Sequence, residues 1–420
     1  MNVPFVDLYA QYLSIKSEVD AAIADVIAQS AFIRGPYVDT FEKEWARALG
    51  VRHCVSCANG TDALYIAMRS LDVKQGDEVI TTAHSWISTS ETVTQAGARV
   101  VFCDTDDATF TINPELIEEK ITSATVGIIA VHLYGQSADL DLVLRIAQKH
   151  NLWVIEDCAQ AHFARYKGKF VGAFGTAATF SFYPGKNLGA YGDAGCVVTN
   201  DDQLAEKMAT FARHGGKGDH IMEGINSRMD GLQAAILNVK LPHLRRWTDA
   251  RRQVASRYDE LLSGLGDVIT PKIGRGRDHV YHLYVVRTEK RDALRKHLAA
   301  AGVATVLNYP KALPFYPAYA YLAHKPGDFP TAYRNQTRIL SLPIYPEMTN
   351  AMIEYVVDEI KRAFDCATRG ESIAKVKART SDPSISKGTT SKIIATSLPK
   401  AFPAVKSASV RTVTNINPEL

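Results

Sequence analysis

A lysine among glycines is the residue of this sequence best suited to covalent chemistry. Lys186 lies in ATFSFYPGKNLGAYGDAG, after an apolar run that predicts a strand, with Gly185, Gly189 and Gly192 nearby. Small neighbours let a bulky group approach the backbone closely, and a lysine amine can form an imine with a carbonyl compound. The alternative is an ordinary lysine in a solvated surface loop, where most lysines are found.

Two carboxylates close another predicted strand. In VIEDCAQAH the apolar residues from Trp153 to Ile155 lead into Glu156 and Asp157. Successive side chains of a strand point to opposite faces, so only one of the two carboxylates can face a site at the strand tip. Two ordinary polar residues at the end of a strand would give the same pattern.

An Asn-Gly-Thr sequence separates a predicted strand from a predicted helix. Backbone amides and the helix dipole meet at Asn59-Gly60-Thr61, which suits an anion such as a phosphate. A plain Asn-Gly turn with Thr61 as the helix N-cap is the alternative. Ser181, at the end of a strand, could bind the same phosphate or face solvent. Trp86, in HSWIST, could stack on a flat ring or pack in a core or interface.

These residue types meet the demands of pyridoxal phosphate (PLP) chemistry. A lysine must form the imine, and an acid must keep the pyridine nitrogen protonated so that the ring can accept electrons. Donors must hold the phosphate, and a flat side chain should cover the ring. A sheet can supply all four from loops at the carboxyl ends of its strands.

The order and spacing of the motifs resemble one family. NGT, W, EDCAQAH, SFYPGKNLGAYGDAG and GINSRMDGLQAAIL follow one another as in the DegT/DnrJ/StrS nucleotide-sugar aminotransferases. The resemblance covers about residues 3–362. It implies an α/β fold of the PLP fold-type I class, with a large PLP-binding domain over residues 1–240. A smaller α+β domain over residues 241–365 is expected to follow.

The resemblance also implies a role for each matching residue. Lys186 matches the lysine that carries the cofactor as a Schiff base and moves protons, and Asp157 matches the partner of the pyridine nitrogen. Gln160 matches a residue near the phenolic oxygen of PLP, and Trp86 matches the stacking ring. The matching phosphate ligands are Gly60, Thr61, Ser181 and, from the neighbouring subunit, Asn226, so a homodimer with shared active sites is implied.

The implied substrate is a nucleotide-linked 3-keto-6-deoxyhexose on dTDP, aminated at C3 with glutamate as donor. The segment N-L-G-A-x-G-D-A-G that follows Lys186 resembles that of the enzymes that act at C3. Many relatives have His-Tyr-Pro near the sugar where this chain has Asn308-Tyr309-Pro310. The fine specificity is therefore open, and a UDP-linked 3-keto-N-acetylhexosaminuronate is the rival. The candidate substrate contacts are Arg213, His214, Lys217, Arg228, Asn308 and Tyr309.

Two other functions deserve comparison. A related lyase branch has a histidine in place of the lysine, so Lys186 argues against it. A regulatory or sensory protein that retains the fold belongs to a different class, and the filled catalytic positions argue against that role.

The elements that must position these residues are visible as short apolar runs between about residues 50 and 200. Strands are predicted at residues 51–57 and in DEVITT, ARVVFCD, VGIIAVHLYG, LWVIED, TAATFSFYP and GCVVTN. Helical patterns separate several of these runs, which predicts a buried, mostly parallel sheet with helices on both faces. Further helices are predicted near residues 203–213, 228–262 and 349–364, with HLYVVRT as a strand and DALRKHLAAAG as a helix of the second domain.

Composition predicts a soluble, cytoplasmic protein. Of its residues 46% are hydrophobic and 22% charged, no apolar run approaches the roughly 20 residues of a membrane span, and the N-terminus lacks a signal-peptide pattern. The net charge of +3 comes from residues 366–420, which hold nine Lys and Arg against three acidic residues. The body therefore has no nucleic-acid signature, no metal site is predicted from the cysteine spacing, and the Ser/Thr-rich tail is predicted to be disordered.

Overall fold

Seven strands form the central sheet of the computed structural model, which describes residues 1–216 and 218–368. The strands of the chain are β1 (His53–Cys57), β2 (Glu78–Thr82), β3 (Arg99–Cys103), β4 (Thr125–Val131), β5 (Trp153–Asp157), β6 (Arg165–Tyr166), β7 (Lys169–Phe170), β8 (Ala177–Ser181), β9 (Gly195–Thr199), β10 (Arg277–Asp278), β11 (Tyr284–Arg287) and β12 (Ile339–Leu342). The helices are α1 (Leu8–Ser14), α2 (Lys16–Ala28), α3 (Pro36–Leu49), α4 (Gly60–Ser70), α5 (Ser88–Gln95), α6 (Leu140–Lys149), α7 (Asp202–Phe211), α8 (Gly231–Lys240), α9 (Leu244–Leu262), α10 (Arg291–Ala300), α11 (Pro330–Asn335) and α12 (Asn350–Thr368).

The central sheet is mostly parallel, as predicted. Its strand order is β1-β9-β8-β5-β4-β2-β3, and within it β9 runs antiparallel to both of its neighbours. Strands β8, β5, β4, β2 and β3 are parallel to one another. Because β9 reverses direction between β1 and β8, these two strands point the same way. The carboxyl ends of β1, β2, β5 and β8 therefore lie at one edge of the sheet.

Helices cover both faces of this sheet because the strands are apolar on both sides. Ile129 and Ile155 pack in one core with α4 residues such as Ala63. Their strand neighbours Ile128 and Val154 pack in a second core, which includes residues of α6. Alternate residues of β4 and β5 thus enter opposite cores, as the pleat of a strand requires.

A separate core surrounds the two-stranded sheet of β11 and β12. Tyr284 and Leu340 of these strands pack with Tyr258 of α9, Leu294 of α10 and Val356 of α12. These residues form the predicted α+β part of the chain. The fold class is confirmed, whereas the exact division at residue 240 stays a prediction.

Two predicted helix boundaries were wrong. The single helix predicted near residues 228–262 is divided into α8 and α9 by a 3₁₀ turn at Leu241–His243. Pro242 lies in that turn and has no N–H with which to continue an α-helix. The last helix, α12, continues to Thr368, and the rest of the predicted tail lies outside the described residues. No helix that the structure describes is long and apolar enough to cross a bilayer.

Candidate active site

A cavity of about 660 Å³ opens at the carboxyl edge of the central sheet. Strands β1, β2, β5 and β8 each deliver residues to it, directly or through the loop that follows. Of the residues predicted to touch cofactor or substrate, those that line the cavity are Gly60, Thr61, Trp86, Asp157, Gln160, Ser181, Lys186 and Tyr309. Side chains distant in sequence are thus brought together by the shared direction of the strands.

Lys186 lies in the loop between β8 and β9. Its backbone N–H donates to the Tyr183 carbonyl over 2.8 Å, and the side-chain Nδ2 of the neighbouring Asn187 donates to the Val280 carbonyl over 2.9 Å. Burial lowers the pKa of the Lys186 amine to about 8, although the negative charge of Asp157 opposes that shift. A lysine in this environment is uncharged far more often at neutral pH than a lysine at the surface.

Asp157 ends β5 with its carboxylate turned to the cavity. Its Oδ2 accepts a hydrogen bond from the Thr89 hydroxyl over 2.9 Å, and its Oδ1 accepts one from the Ala159 amide over 3.1 Å. Burial raises the pKa of Asp157, whereas these two hydrogen bonds and the charge of Lys186 act to lower it. The site therefore contains a desolvated acid and a desolvated amine in one cavity.

Glu156 points to the opposite face, as the strand alternation predicts. Its carboxylate accepts hydrogen bonds from His132 over 3.0 Å and from the amides of Gly172, Phe174 and Gly175 over 2.8 Å. Burial acts to raise its pKa, but these donors outweigh it and hold the pKa below the ordinary value. Among the residues described, Glu156 also lies near His132 and Cys158 in a buried group of potential metal ligands. Its hydrogen bonds already occupy both carboxylate oxygens, which leaves this group a structural role.

The start of α4 lies against the end of β8. A Cβ added at Gly60 would lie 2.6 Å from the Ser181 Cβ, so only glycine permits this approach. The first-turn amides of α4, which have no partners within the helix, are thereby brought beside the Ser181 hydroxyl. Thr61 adds a second hydroxyl, bonded to Ser88 Oγ over 2.7 Å. The N-cap is Asn59, whose side chain accepts from the Asp62 amide over 2.8 Å, and not Thr61.

Aromatic side chains form one wall of the cavity. The Trp86 ring is 57% exposed, and its centroid lies 5.5 Å from that of Tyr309. Gln160 supports this wall, because its Nε2 donates to the Tyr309 hydroxyl over 2.8 Å and its Oε1 accepts from the Tyr134 amide over 2.7 Å. The flat surface predicted for Trp86 is therefore accompanied by a tyrosine that a glutamine holds in place.

Five predicted contacts lie away from the cavity. The Asn308 side chain accepts from the Ser341 hydroxyl of β12 over 2.8 Å and so points elsewhere. Arg213 is half-buried and lies 3.8 Å from the Glu42 carboxylate instead of facing an open anion site. His214, Asn226 and Arg228 are exposed and do not line the cavity of their own chain. A sixth predicted contact, Lys217, lies outside the described residues.

Several cavity residues were missed by the sequence analysis. They are mainly hydroxyl and acidic residues: Asp62, Ser85, Ser88, Thr89, Tyr183 and Asp193. The signal that could have identified Ser85 and Thr89 is their position shortly after β2, at the same sheet edge as Asp157.

A lysine and a carboxylate share one cavity with a helix N-terminus at the carboxyl edge of a mostly parallel sheet, which is the arrangement expected of a fold-type I PLP enzyme. The model of the DegT/DnrJ/EryC1/StrS aminotransferase family matches residues 13–361. The chain belongs to this family, and both the predicted family and the predicted enzyme class are confirmed.

Similar proteins cover nearly the same span. A protein of Geobacillus stearothermophilus named "Pleiotropic regulatory protein" is 47% identical over 86% of this chain and 98% of its own. A dTDP-3-amino-3,4,6-trideoxy-alpha-D-glucose transaminase of Streptomyces venezuelae is 41% identical over 86% and 96%. A UDP-2-acetamido-2-deoxy-3-oxo-D-glucuronate aminotransferase of Pseudomonas aeruginosa is 42% identical over 84% and 98%. The crystal structure of DesV from S. venezuelae with a ketimine intermediate has a TM-score of 0.84 and 40% identity, over 86% of this chain and 98% of that chain.

Proposed function

We propose that this enzyme uses PLP to transfer the amino group of glutamate to C3 of a dTDP-linked 3-keto-6-deoxyhexose. The observation that carries the proposal is the cavity that joins Lys186 and Asp157 to the N-terminus of α4. The S. venezuelae transaminase, whose name specifies a dTDP-linked 3-amino sugar, supports the choice of substrate. The match covers 86% of this chain and 96% of that transaminase.

The residues around the cavity fit PLP. The Asp157 carboxylate would hold a proton on the pyridine nitrogen, and Trp86 would cover one face of the ring. The Ser181 and Thr61 hydroxyls and the first amides of α4 would bind the phosphate, next to the surface that only Gly60 leaves open. When bound, PLP supplies an electron sink for negative charge that develops on the substrate carbon.

Lys186 suits the movement of protons in both halves of the reaction. A group transfers protons most effectively when its pKa lies near the working pH. Desolvation lowers the pKa of the free Lys186 amine to about 8, so this amine can both accept and return a proton under ordinary conditions. The family resemblance assigns the same role to this lysine.

The surface near Asn226 supports a homodimer with shared sites. Phe32 and Ile33 are each about half exposed, and they lie beside the segment of Asn226 because the Gly231 amide donates to the Phe32 carbonyl over 2.7 Å. An exposed apolar patch beside exposed polar residues is typical of an interface. Asn226 lies outside the cavity of its own chain, so a second copy would let it reach a neighbouring phosphate.

The rival substrate is the UDP-linked 3-keto-N-acetylhexosaminuronate. The P. aeruginosa aminotransferase favours it, because its name specifies a UDP-linked 3-oxo-glucuronate and its identity to this chain is 42%. The two substrates differ in the nucleotide, in the acetamido group at C2 of the uronate and in its negative charge at C6. Either substrate would be aminated at C3.

A substrate panel separates these functions. The PLP-loaded enzyme is incubated with glutamate and each keto-sugar nucleotide, the products are weighed by mass spectrometry, and the aminated carbon is located by NMR. We expect turnover of the dTDP-linked 3-keto-6-deoxyhexose. Turnover of the UDP-linked uronate alone would establish the rival, amination at C4 would contradict the position of transfer, and no turnover of any substrate would favour a regulatory role.

A further inference from the structure

Two hydroxyl groups link the cavity wall to Asp157. The Thr89 hydroxyl donates to Asp157 Oδ2 over 2.9 Å, and Ser85 Oγ lies 3.0 Å from Thr89 Oγ1. We propose that Thr89, oriented by Ser85, is a positioning residue that fixes the Asp157 carboxylate and stabilises its negative charge opposite the pyridine nitrogen of PLP. This inference rests on the proposed function.

The direction of both hydrogen bonds follows from a count of hydrogens. A threonine hydroxyl has one hydrogen, and that of Thr89 is used in its bond to Asp157. Ser85 must therefore donate to Thr89 in the bond between them. Two donors in series point toward the carboxylate, and each strengthens the polarity of the next.

Burial makes these bonds strong. Thr89 is 1% exposed, Ser85 is 3% exposed and Asp157 is 5% exposed. Hydrogen bonds to a charged group in such surroundings contribute about twice as much as bonds between neutral groups. The Thr89 bond also acts against burial, which raises the pKa of Asp157.

Thr89 also fixes the orientation of the Asp157 carboxylate. The backbone amide of Ala159 holds Oδ1, and Thr89 holds Oδ2. Contacts at both oxygens fix the plane of the carboxylate, which one contact alone would leave free to rotate. A carboxylate fixed in this way needs no rearrangement when it receives a pyridinium group.

The test compares three variants of neighbouring threonines. Thr89→Val removes the hydroxyl at nearly constant volume, whereas Thr89→Ser keeps it. Thr92→Val is the matched control, because Thr92 is a buried residue of the same helix whose hydroxyl donates to the Ser88 carbonyl over 2.7 Å and not to Asp157. For each protein, the dissociation constant of PLP and the pH dependence of the absorption spectrum of the bound cofactor are measured.

We expect Thr89→Val to weaken PLP binding by about 2- to 10-fold, because the hydrogen bond is already made in the free protein and its loss adds only the cost of ordering the carboxylate when PLP binds. The pH at which the pair of Asp157 and the pyridine nitrogen loses its proton should also rise, because the carboxylate is a stronger base without the Thr89 hydrogen bond. Thr89→Ser and Thr92→Val should resemble the wild type. A Thr89→Val protein with wild-type affinity and an unchanged spectral midpoint would overturn the inference.

A second variant keeps the inference testable if the first one misfolds. If Thr89→Val does not fold, Ser85→Ala should shift affinity and midpoint in the same direction by a smaller amount, since it removes only the outer donor. Wild-type values for Ser85→Ala would then overturn the inference. Failure of the wild-type protein itself to bind PLP would instead overturn the proposed function on which the inference depends.

Discussion

Burial in the same cavity shifts the pKa of Lys186 and the pKa of Asp157 in opposite directions. Burial favours the uncharged form of each residue, while each charge stabilises the other. The balance leaves Lys186 with a pKa of about 8, which makes its neutral amine accessible near physiological pH. At the residue scale, the cavity thus prepares a nucleophile and keeps an acid available in the same space.

The pH dependence of cofactor capture should reveal this balance. The rate at which the apoenzyme takes up PLP at Lys186 should rise with pH and level off above about 8, because only the neutral amine attacks. Asp157→Asn should move the midpoint to lower pH, since it removes the charge that raises the pKa of the lysine. Stopped-flow absorbance gives the rates, and a midpoint near 10.5, the ordinary lysine value, would contradict this account.

The two adjacent carboxylates should respond differently to amide substitution. Glu156→Gln should lower the free energy of unfolding by about 2–4 kcal/mol, because the amide nitrogen would face backbone donors. Asp157→Asn should leave stability nearly unchanged or raise it, because it neutralises a buried acid, while PLP binding weakens. Urea denaturation and PLP titration of both variants measure these effects.

The sign of the pH effect at Glu156 follows from its pKa. Because folding lowers that pKa, Glu156 stabilises the protein above its unfolded value of about 4.3, and this stabilisation is lost as the pH falls through the folded value. In Glu156→Gln, the free energy of unfolding should therefore decrease less as the pH falls through this range. Equal stability of Glu156→Gln and the wild type at pH 7 would contradict the structural role of Glu156.

At the scale of elements, the approach of α4 to β8 forms the anion site. Gly60→Ala should push the two elements apart, because its Cβ would lie 2.6 Å from the Ser181 Cβ. We expect a loss of about 1–3 kcal/mol of stability, as for an overpacked core, and weaker PLP binding. Gly327→Ala is the control, since an added Cβ there meets no atom within 4 Å. Similar behaviour of the two variants would contradict the proposed approach.

The sequence predicted those elements whose pattern is local. The strand before Asp157 and the separation of Glu156 from Asp157 follow from apolar runs and alternation. The division of α8 from α9 was missed, although Pro242 marks it in the sequence. The placement of Ser85 and Thr89 was also missed, because it depends on how the segment after β2 packs against β5, and no periodicity encodes that contact.

At the scale of the whole molecule, the proposed function includes a homodimer in which two chains form each complete site. Asn226 and Arg228 are exposed in one chain, yet Ser227 between them is 1% exposed. Its hydroxyl donates to the Asp62 carboxylate over 2.6 Å, which ties the exposed loop to the first turn of α4. This contact fixes the loop on which the Asn226 side chain is exposed.

Mixing of two inactive variants tests the sharing of sites. Lys186→Ala and Asn226→Ala homodimers should each have little activity, whereas mixed dimers should contain one intact site made from both chains. After random subunit exchange, about a quarter of the wild-type activity is expected, since half of the dimers are mixed and one of their two sites works. No recovery, with subunit exchange shown by mass spectrometry, would contradict the action of Asn226 in trans.

The most direct test of the central claim is reduction of the PLP-loaded protein with borohydride, followed by peptide mapping. We predict that the reduced cofactor is attached to Lys186 in the peptide that contains SFYPGKNLGAYGDAG. The Lys186→Ala variant should be folded, unlabelled and unable to transfer nitrogen, while Lys167→Ala, at an exposed loop lysine, should label as the wild type does. Attachment of the cofactor to another lysine, or transamination by Lys186→Ala at the wild-type rate, would contradict the account.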